Sequence, residues 1–199
     1  LTEGFLSIAR AAACTVALIV ASPGFADDCP SAATGKGSFV VERGPDSKTE
    51  VFYGNGPTVQ SVMRYRGQTL LETTLHEGLF ELDRLDRGRR WVSKPKVDLA
   101  KLFPLRQQKF DVEFDVQEGD EKPVPSRIRL TVVGTDHLMI GACKYDILKI
   151  QREETGARRF SNVDYYAPAL KLIVAKEYSE RDGRTTLIKF DKIYSSAKQ

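Results

Sequence analysis

The chain has 199 residues, 41% hydrophobic and 29% charged, with 30 basic against 27 acidic side chains and a net charge of +3. That length suits one domain with a sizeable core, and so small a net charge argues against a nucleic-acid partner, which needs a basic face. Three cysteines and two histidines are too few for a zinc cluster, so no metal and no cofactor is expected.

The first stretch reads as an address. Arg10 is followed by an unbroken small-apolar run, residues 11–21, then by the breaker Pro23, by Gly24 and Ala26, and by Asp27-Asp28. This pattern predicts a Sec-type signal peptide over residues 1–26, cleaved after Ala26, and therefore a periplasmic protein. The apolar run is far shorter than the roughly 20 residues that span a bilayer, so no stable membrane span is expected after cleavage. Removal of 1–26 takes Cys14 with it and leaves Cys29 and Cys143. In an oxidising compartment such a pair is expected to form a disulfide. Cys143 also lacks the histidine partner or CxxC spacing that a reactive thiol needs. Residues 27–199 are read as a single β domain.

The mature chain is a succession of short strands. Residues 39–43 and 49–53 flank Gly44-Pro45-Asp46, and 58–66 and 69–76 flank a turn at Gly67-Gln68. Residues 79–85 and 90–93 flank Asp86-Arg87-Gly88. Turn signals at about ten-residue spacing mark an all-β chain. Residues 94–108, bracketed by Pro95 and Pro104, break the pattern. They are read as a long connection with a short helix, its apolar side chains covering a sheet. Phe110, Val112, Phe114 and Val116 then alternate with Asp111, Glu113 and Asp115, and Ile128, Leu130 and Val132 with Arg127, Arg129 and Thr131. These are half-buried antiparallel strands whose acids and arginines are placed to pair across the solvent face. A turn is expected at Gly134-Thr135-Asp136.

The last third reads as four strands, 143–150, 158–166, 170–180 and 185–194, with a polar link at 153–156 and a turn at 181–184. Asp182-Gly183 between alternating runs is a strong hairpin signal that requires positive φ at both residues. About ten to twelve strands and at most one or two short helices result. The fold class is all-β: an antiparallel sheet large enough that it must curl into a curved sheet or half-barrel to bury its apolar face.

The order Leu138-Met139-Ile140-Gly141, then Tyr145 to Ile150, then Tyr165-Tyr166-Ala167-Pro168-Ala169-Leu170 before a terminal hairpin resembles uncharacterised exported β-proteins of Gram-negative bacteria. Those are similar in architecture to periplasmic lipoprotein carriers of the LolA type, a curved sheet around an apolar cavity. The resemblance covers about a third of the chain. It implies an envelope location and, by analogy, lipid or lipoprotein binding.

Candidate site residues are few. Arg89-Arg90-Trp91, within a basic cluster that includes Arg84, Arg87, Lys94 and Lys96, is the candidate for an anionic surface: arginines as phosphate forks, indole at an interface. The opposing interpretation is a solvated hairpin turn with Trp91 in the core. Tyr165 and Tyr166 are neighbours on a strand and so face opposite ways, one toward the core and one toward a pocket or rim. His76 and His137 have carboxylates nearby in sequence, but their spacing does not bring them together. No nucleophile triad, phosphate loop or acid pair is present in the pattern, so the protein is not expected to be an enzyme. The expected function is non-catalytic binding of an apolar or lipid-like ligand on the concave face. The alternative is a structural or interaction protein of the cell envelope with a filled core, its partner an envelope protein. A hydrolase of envelope material would need a pocket that gathers one of the histidines with a carboxylate.

Overall fold

The computed structural model describes residues 29–32, 37–105, 108–180 and 182–196. The expected signal, residues 1–26, lies outside the described residues. Thirteen strands form one antiparallel, unclosed curved sheet: β1 (Ser38–Arg43), β2 (Ser47–Tyr53), β3 (Thr58–Tyr65), β4 (Gln68–His76), β5 (Phe80–Asp86), β6 (Arg89–Pro95), β7 (Lys109–Glu118), β8 (Val124–Ile140), β9 (Cys143–Thr155), β10 (Phe160–Ala167), β11 (Leu172–Ser179), β12 (Thr185–Lys189) and β13 (Lys192–Ser195). Neighbours in sequence are neighbours in the sheet from β1 to β12, and β13 pairs with β1. The expected final strand over 185–194 is therefore two strands. Phe190-Asp191 carries the chain from one edge of the sheet to the other. The amide of Phe190 reaches Val174 O at 3.3 Å and that of Asp191 reaches Glu42 O at 2.8 Å. These two residues join the edges where a fully closed barrel would have a continuous ladder.

Local turn chemistry explains most of the order. Arg66-Gly67 and Arg87-Gly88 both hold positive φ, the geometry of two-residue hairpins whose twist matches the strands. The first of these turns is one residue earlier than Gly67-Gln68. At the expected turn 181–184, Gly183 has positive φ. Ser179 pairs with Thr185, so a longer loop replaces the Asp-Gly hairpin. The connection after β6 holds a 3-10 turn, Leu99–Leu102, capped by Asp98, and Leu99, Leu102, Phe103 and Leu105 pack on the core as expected. The acid–arginine pairing also appears: Asp111 lies opposite Arg129 and Glu113 opposite Arg127.

The expected turn at residues 134–136 is absent. β8 runs 17 residues without a break and absorbs the irregularity as a bulge between Val132 and Gly134. The extra residue, Val133, is exposed, as an unpaired bulge residue is when it is squeezed off the ladder. β9 likewise runs on through the expected polar link to Thr155. The buried face also changes along β9. In β9 the buried side chains are Cys143, Tyr145 and Ile147 in the first half but Ile150, Arg152 and Glu154 in the second. Odd positions give way to even ones, so the two halves bury opposite faces. Two apolar clusters follow. One gathers Phe39, Val41, Val51, Val59, Ile140 and Ile193; the other gathers Phe80, Phe110, Phe114, Leu130 and Ile150.

Cys29 and Cys143 form a disulfide across 114 residues. The Tyr145 hydroxyl donates to Pro30 O at 3.1 Å beside it, where burial pushes the phenol up to about 12. Thiol labelling of the denatured, unreduced chain from residue 27 onward should find no free cysteine; a labelled Cys29 or Cys143 would contradict the bridge.

Candidate functional site

Register places four polar side chains on one face of three adjoining strands. Arg152 of β9 lies opposite Asn162 of β10, and Asp164 of β10 lies opposite Lys176 of β11. All four share the face of Ile150 and Tyr166, where the second cluster packs. Asp164 is the hub and is 0% exposed. Its Oδ2 accepts from Arg152 Nε at 2.6 Å, its Oδ1 accepts from Asn162 Nδ2 at 2.5 Å, and Lys176 Nζ stands 3.8 Å away. Arg152, itself buried, also donates from Nη2 to Leu79 O at 2.8 Å. A buried ion pair persists only when such hydrogen bonds use up both partners.

Leu79 belongs to the loop between β4 and β5, and that loop is strapped to the far strands. The Tyr166 hydroxyl donates to Glu77 O at 2.7 Å, and Lys171 Nζ donates to Glu77 Oε1 at 3.0 Å. Gly78, at φ +68, lies so close to the turn before β11 that a Cβ there would be 1.5 Å from Lys171 O. Glycine is needed for the approach as well as for the dihedral. Leu79 of this loop and side chains from strands β4 to β11 line a half-open hollow of about 340 Å³.

The lining of the hollow mixes apolar side chains, among them Leu79, Phe114, Ile128 and Ile173, with the charged Arg84, Arg152, Arg158, Lys176, Glu81 and Glu154. Arg158 Nη2 donates to Glu81 Oε1 at 2.7 Å, and its Nε is 3.5 Å from Glu154 Oε1. Burial raises the Glu154 pKa against the pull of Arg158 and Arg152. Burial also lowers the Lys176 pKa, opposed first by Asp164, although 39% of that side chain remains accessible. Both facts fit an ammonium whose open surface faces the hollow instead of bulk water. Two buried polar atoms on the lining lack a hydrogen-bond partner among the described residues: Arg158 Nε and Asn162 Oδ1.

Of the basic cluster around Trp91 only Arg84 lines this hollow; Arg89, Arg90, Trp91, Tyr165 and Tyr166 do not. Arg90 is engaged by Asp83, at 3.0 Å from Nε and 2.5 Å from Nη2. Arg89 lies 3.7 Å from Glu118. Arg84 and Arg89 stack on the Trp91 ring at 5.7 and 5.5 Å from its centroid, and Trp91 packs half-buried on the second cluster. Tyr165 and Tyr166 do face opposite ways, but both are buried, one in each cluster, because the sheet is covered on both faces here. Tyr165 donates to Glu177 Oε2 at 2.9 Å. His137 Nδ1 sits 2.7 Å from Asp146, and His76 packs beside Phe103. Neither histidine lines the hollow. Among the described residues no group of three or more His, Cys, Asp or Glu could hold a metal ion, and no helix is long and apolar enough to cross a membrane.

The cavity residues were missed by reading strands singly. Asn162 and Asp164 occupy the same alternate positions as Tyr166, and Arg152 and Glu154 those of Ile150. Charges in the apolar phase of two neighbouring strands are the signal that was available.

No family model matches the chain, and no curated protein matches it. Among solved structures it is similar to the hypothetical lipoprotein YmcC from Escherichia coli (K12), with a TM-score of 0.46 and 10% identity, over 79% of this chain and 82% of that one. A likeness at that level carries no functional argument.

Proposed function

We propose that this is an exported, non-catalytic binding protein of the bacterial envelope that holds a small amphipathic, lipid-like ligand in the hollow lined by Leu79 and strands β4 to β11. One observation carries the reading: a half-open hollow of about 340 Å³ whose lining mixes apolar and charged side chains. Its volume is at the lower end of the roughly 300–1,000 Å³ typical of ligand sites. The disulfide and the signal-like first 26 residues support export, since such bridges persist in oxidising compartments.

The test is native mass spectrometry of the mature protein recovered from a bacterial periplasm, followed by organic extraction. A bound amphiphile at near-unit stoichiometry is the expected result. An unshifted mass, both as purified and after incubation with envelope lipid extract, would remove the ligand reading and leave that of an envelope interaction protein.

A further inference from the structure

The connection between β6 and β7 is held down by packing. Among the described residues, 97–105 hydrogen-bond only to each other: Ala100 N to Asp98 Oδ1, Lys101 N to Asp98 O, and Phe103 N to Ala100 O. The last backbone bond to a strand before it runs from Lys96 N to Glu113 O. What fixes the segment is the apolar contact of Leu99, Leu102, Phe103 and Leu105 with the second cluster. Such a strap can lift without breaking a strand bond, and segments of that kind lie at the low end of local stability.

A histidine packs against this strap. His76, the last residue of β4, meets the Phe103 ring at 5.7 Å between centroids, and Phe103 meets Phe80 edge-on at 6.1 Å. His76 Nε2 is buried and has no hydrogen-bond partner among the described residues. A neutral imidazole tolerates this, because Nε2 need carry no proton. An imidazolium does not, because both nitrogens are then donors and a buried charged donor without an acceptor is costly. The strands beside it bring no charge: opposite His76 stand Thr58 of β3 and Phe80 of β5. The charged groups facing it are Glu77 from the β4–β5 loop, Asp98 from the strap and Lys171 from the turn before β11. Glu77 is already paired with Lys171 at 3.0 Å. Burial lowers the His76 pKa, with Glu77 and Asp98 acting against it and Lys171 with it.

We propose that His76 is an acid-sensitive latch for the strap: neutral, it packs against Phe103 and the strap stays down; protonated, its Nε2 needs an acceptor that the closed site lacks, and the strap lifts. The latch requires no ligand in the hollow. Above the ordinary imidazole pKa both the closed and the lifted states are neutral, and the strap is fully held. As pH falls below that value the lifted state takes a proton and the closed state does not, so closure weakens in acid. One unit below an ordinary pKa of about 6.5, the population of the lifted state rises by at most about tenfold.

Amide hydrogen exchange of the chain from residue 27 onward, read as protection factors at about pH 7.5 and pH 5.5, tests the latch. The amides of Lys101 and Phe103 should lose protection by up to about tenfold at the lower pH, while those of β7 and β9 keep theirs. His76→Leu, which cannot take a proton, should show the same protection at both pH values. His137→Gln, an exposed histidine beside Asp146, should leave the loss in place. An NMR titration of the imidazole in the unaltered protein gives a readout that does not depend on the folding of His76→Leu. His76 should titrate below its ordinary value, and Phe103→Ala, which uncovers the ring, should bring it back. Unchanged protection at the lower pH in the unaltered protein would overturn the latch. So would a loss that persists in His76→Leu, or an imidazole that titrates at the ordinary value.

Discussion

Replacing Asp164 with alanine is expected to destabilise the protein by about 3–5 kcal/mol, the usual consequence of stranding one partner of a buried ion pair. Asp164 is the acceptor for Arg152 and for Asn162, and the nearest carboxylate to Lys176. Without it a guanidinium that is 6% exposed keeps only Leu79 O. At roughly 2–4 °C per kcal/mol for a domain of this size, the melting temperature should fall by roughly 6–20 °C. The double variant Asp164→Leu, Arg152→Met should recover most of that loss, because an apolar pair of similar volume needs no counter-ion. Its shortfall would measure the bonds that remain unreplaced, to Leu79 O and from Asn162 and Lys176. If the single variant lost less than about 1 kcal/mol, water from the hollow would have to be solvating Arg152. The pair would then not anchor the site.

Gly78→Ala should be the other severe change, and Gly67→Ala is its control. Both glycines sit at positive φ, +68 and +81, but a Cβ on Gly67 meets nothing within 4 Å whereas one on Gly78 runs into Lys171 O. Gly67→Ala should therefore cost only the left-handed backbone penalty of about 1–2 kcal/mol. Gly78→Ala adds overpacking of about 1–3 kcal/mol, for a total of about 2–5 kcal/mol. Separation of the Lys171 turn from the loop would also loosen the Tyr166 bond to Glu77 O, so amide exchange in residues 77–79 should speed up in this variant alone. Chemical denaturation of the two variants side by side is decisive. Equal losses would show that the approach of loop and turn is not a constraint on the fold.

The strands that alternate cleanly were legible because one side of each meets water. β7 shows this best: Phe110, Val112, Phe114 and Val116 are buried and the residues between them are not, apart from partly covered Asp115. The pattern failed where pairing, not composition, set the outcome. Gly134 and Asp136 carry turn chemistry, yet the long partner β9 holds β8 in register on both sides of the bulge. Asp182-Gly183 carries hairpin chemistry, but the pairing of Ser179 with Thr185 leaves a wider loop. The basic cluster around Trp91 is neutralised by pairing across strands: Glu118, distant in sequence on β7, meets Arg89, and Asp83, across the β5–β6 hairpin, meets Arg90.

The amino-acid sequence by itself determined the all-β class, the hairpin order through most of the sheet, the half-buried strands and the cysteine pair. Each of these rests on period-two patterning, on residues suited to positive φ, or on a count of thiols, all of which are local or compositional. Tertiary structure alone decided which face of β9 is buried in each half, how Phe190-Asp191 joins the sheet edges, and that Arg152, Asn162, Asp164 and Lys176 meet opposite Leu79. Those outcomes depend on what covers each face of the sheet and on a close approach of two loops about ninety residues apart, and a side chain's partner at that distance is set by register summed over many strands.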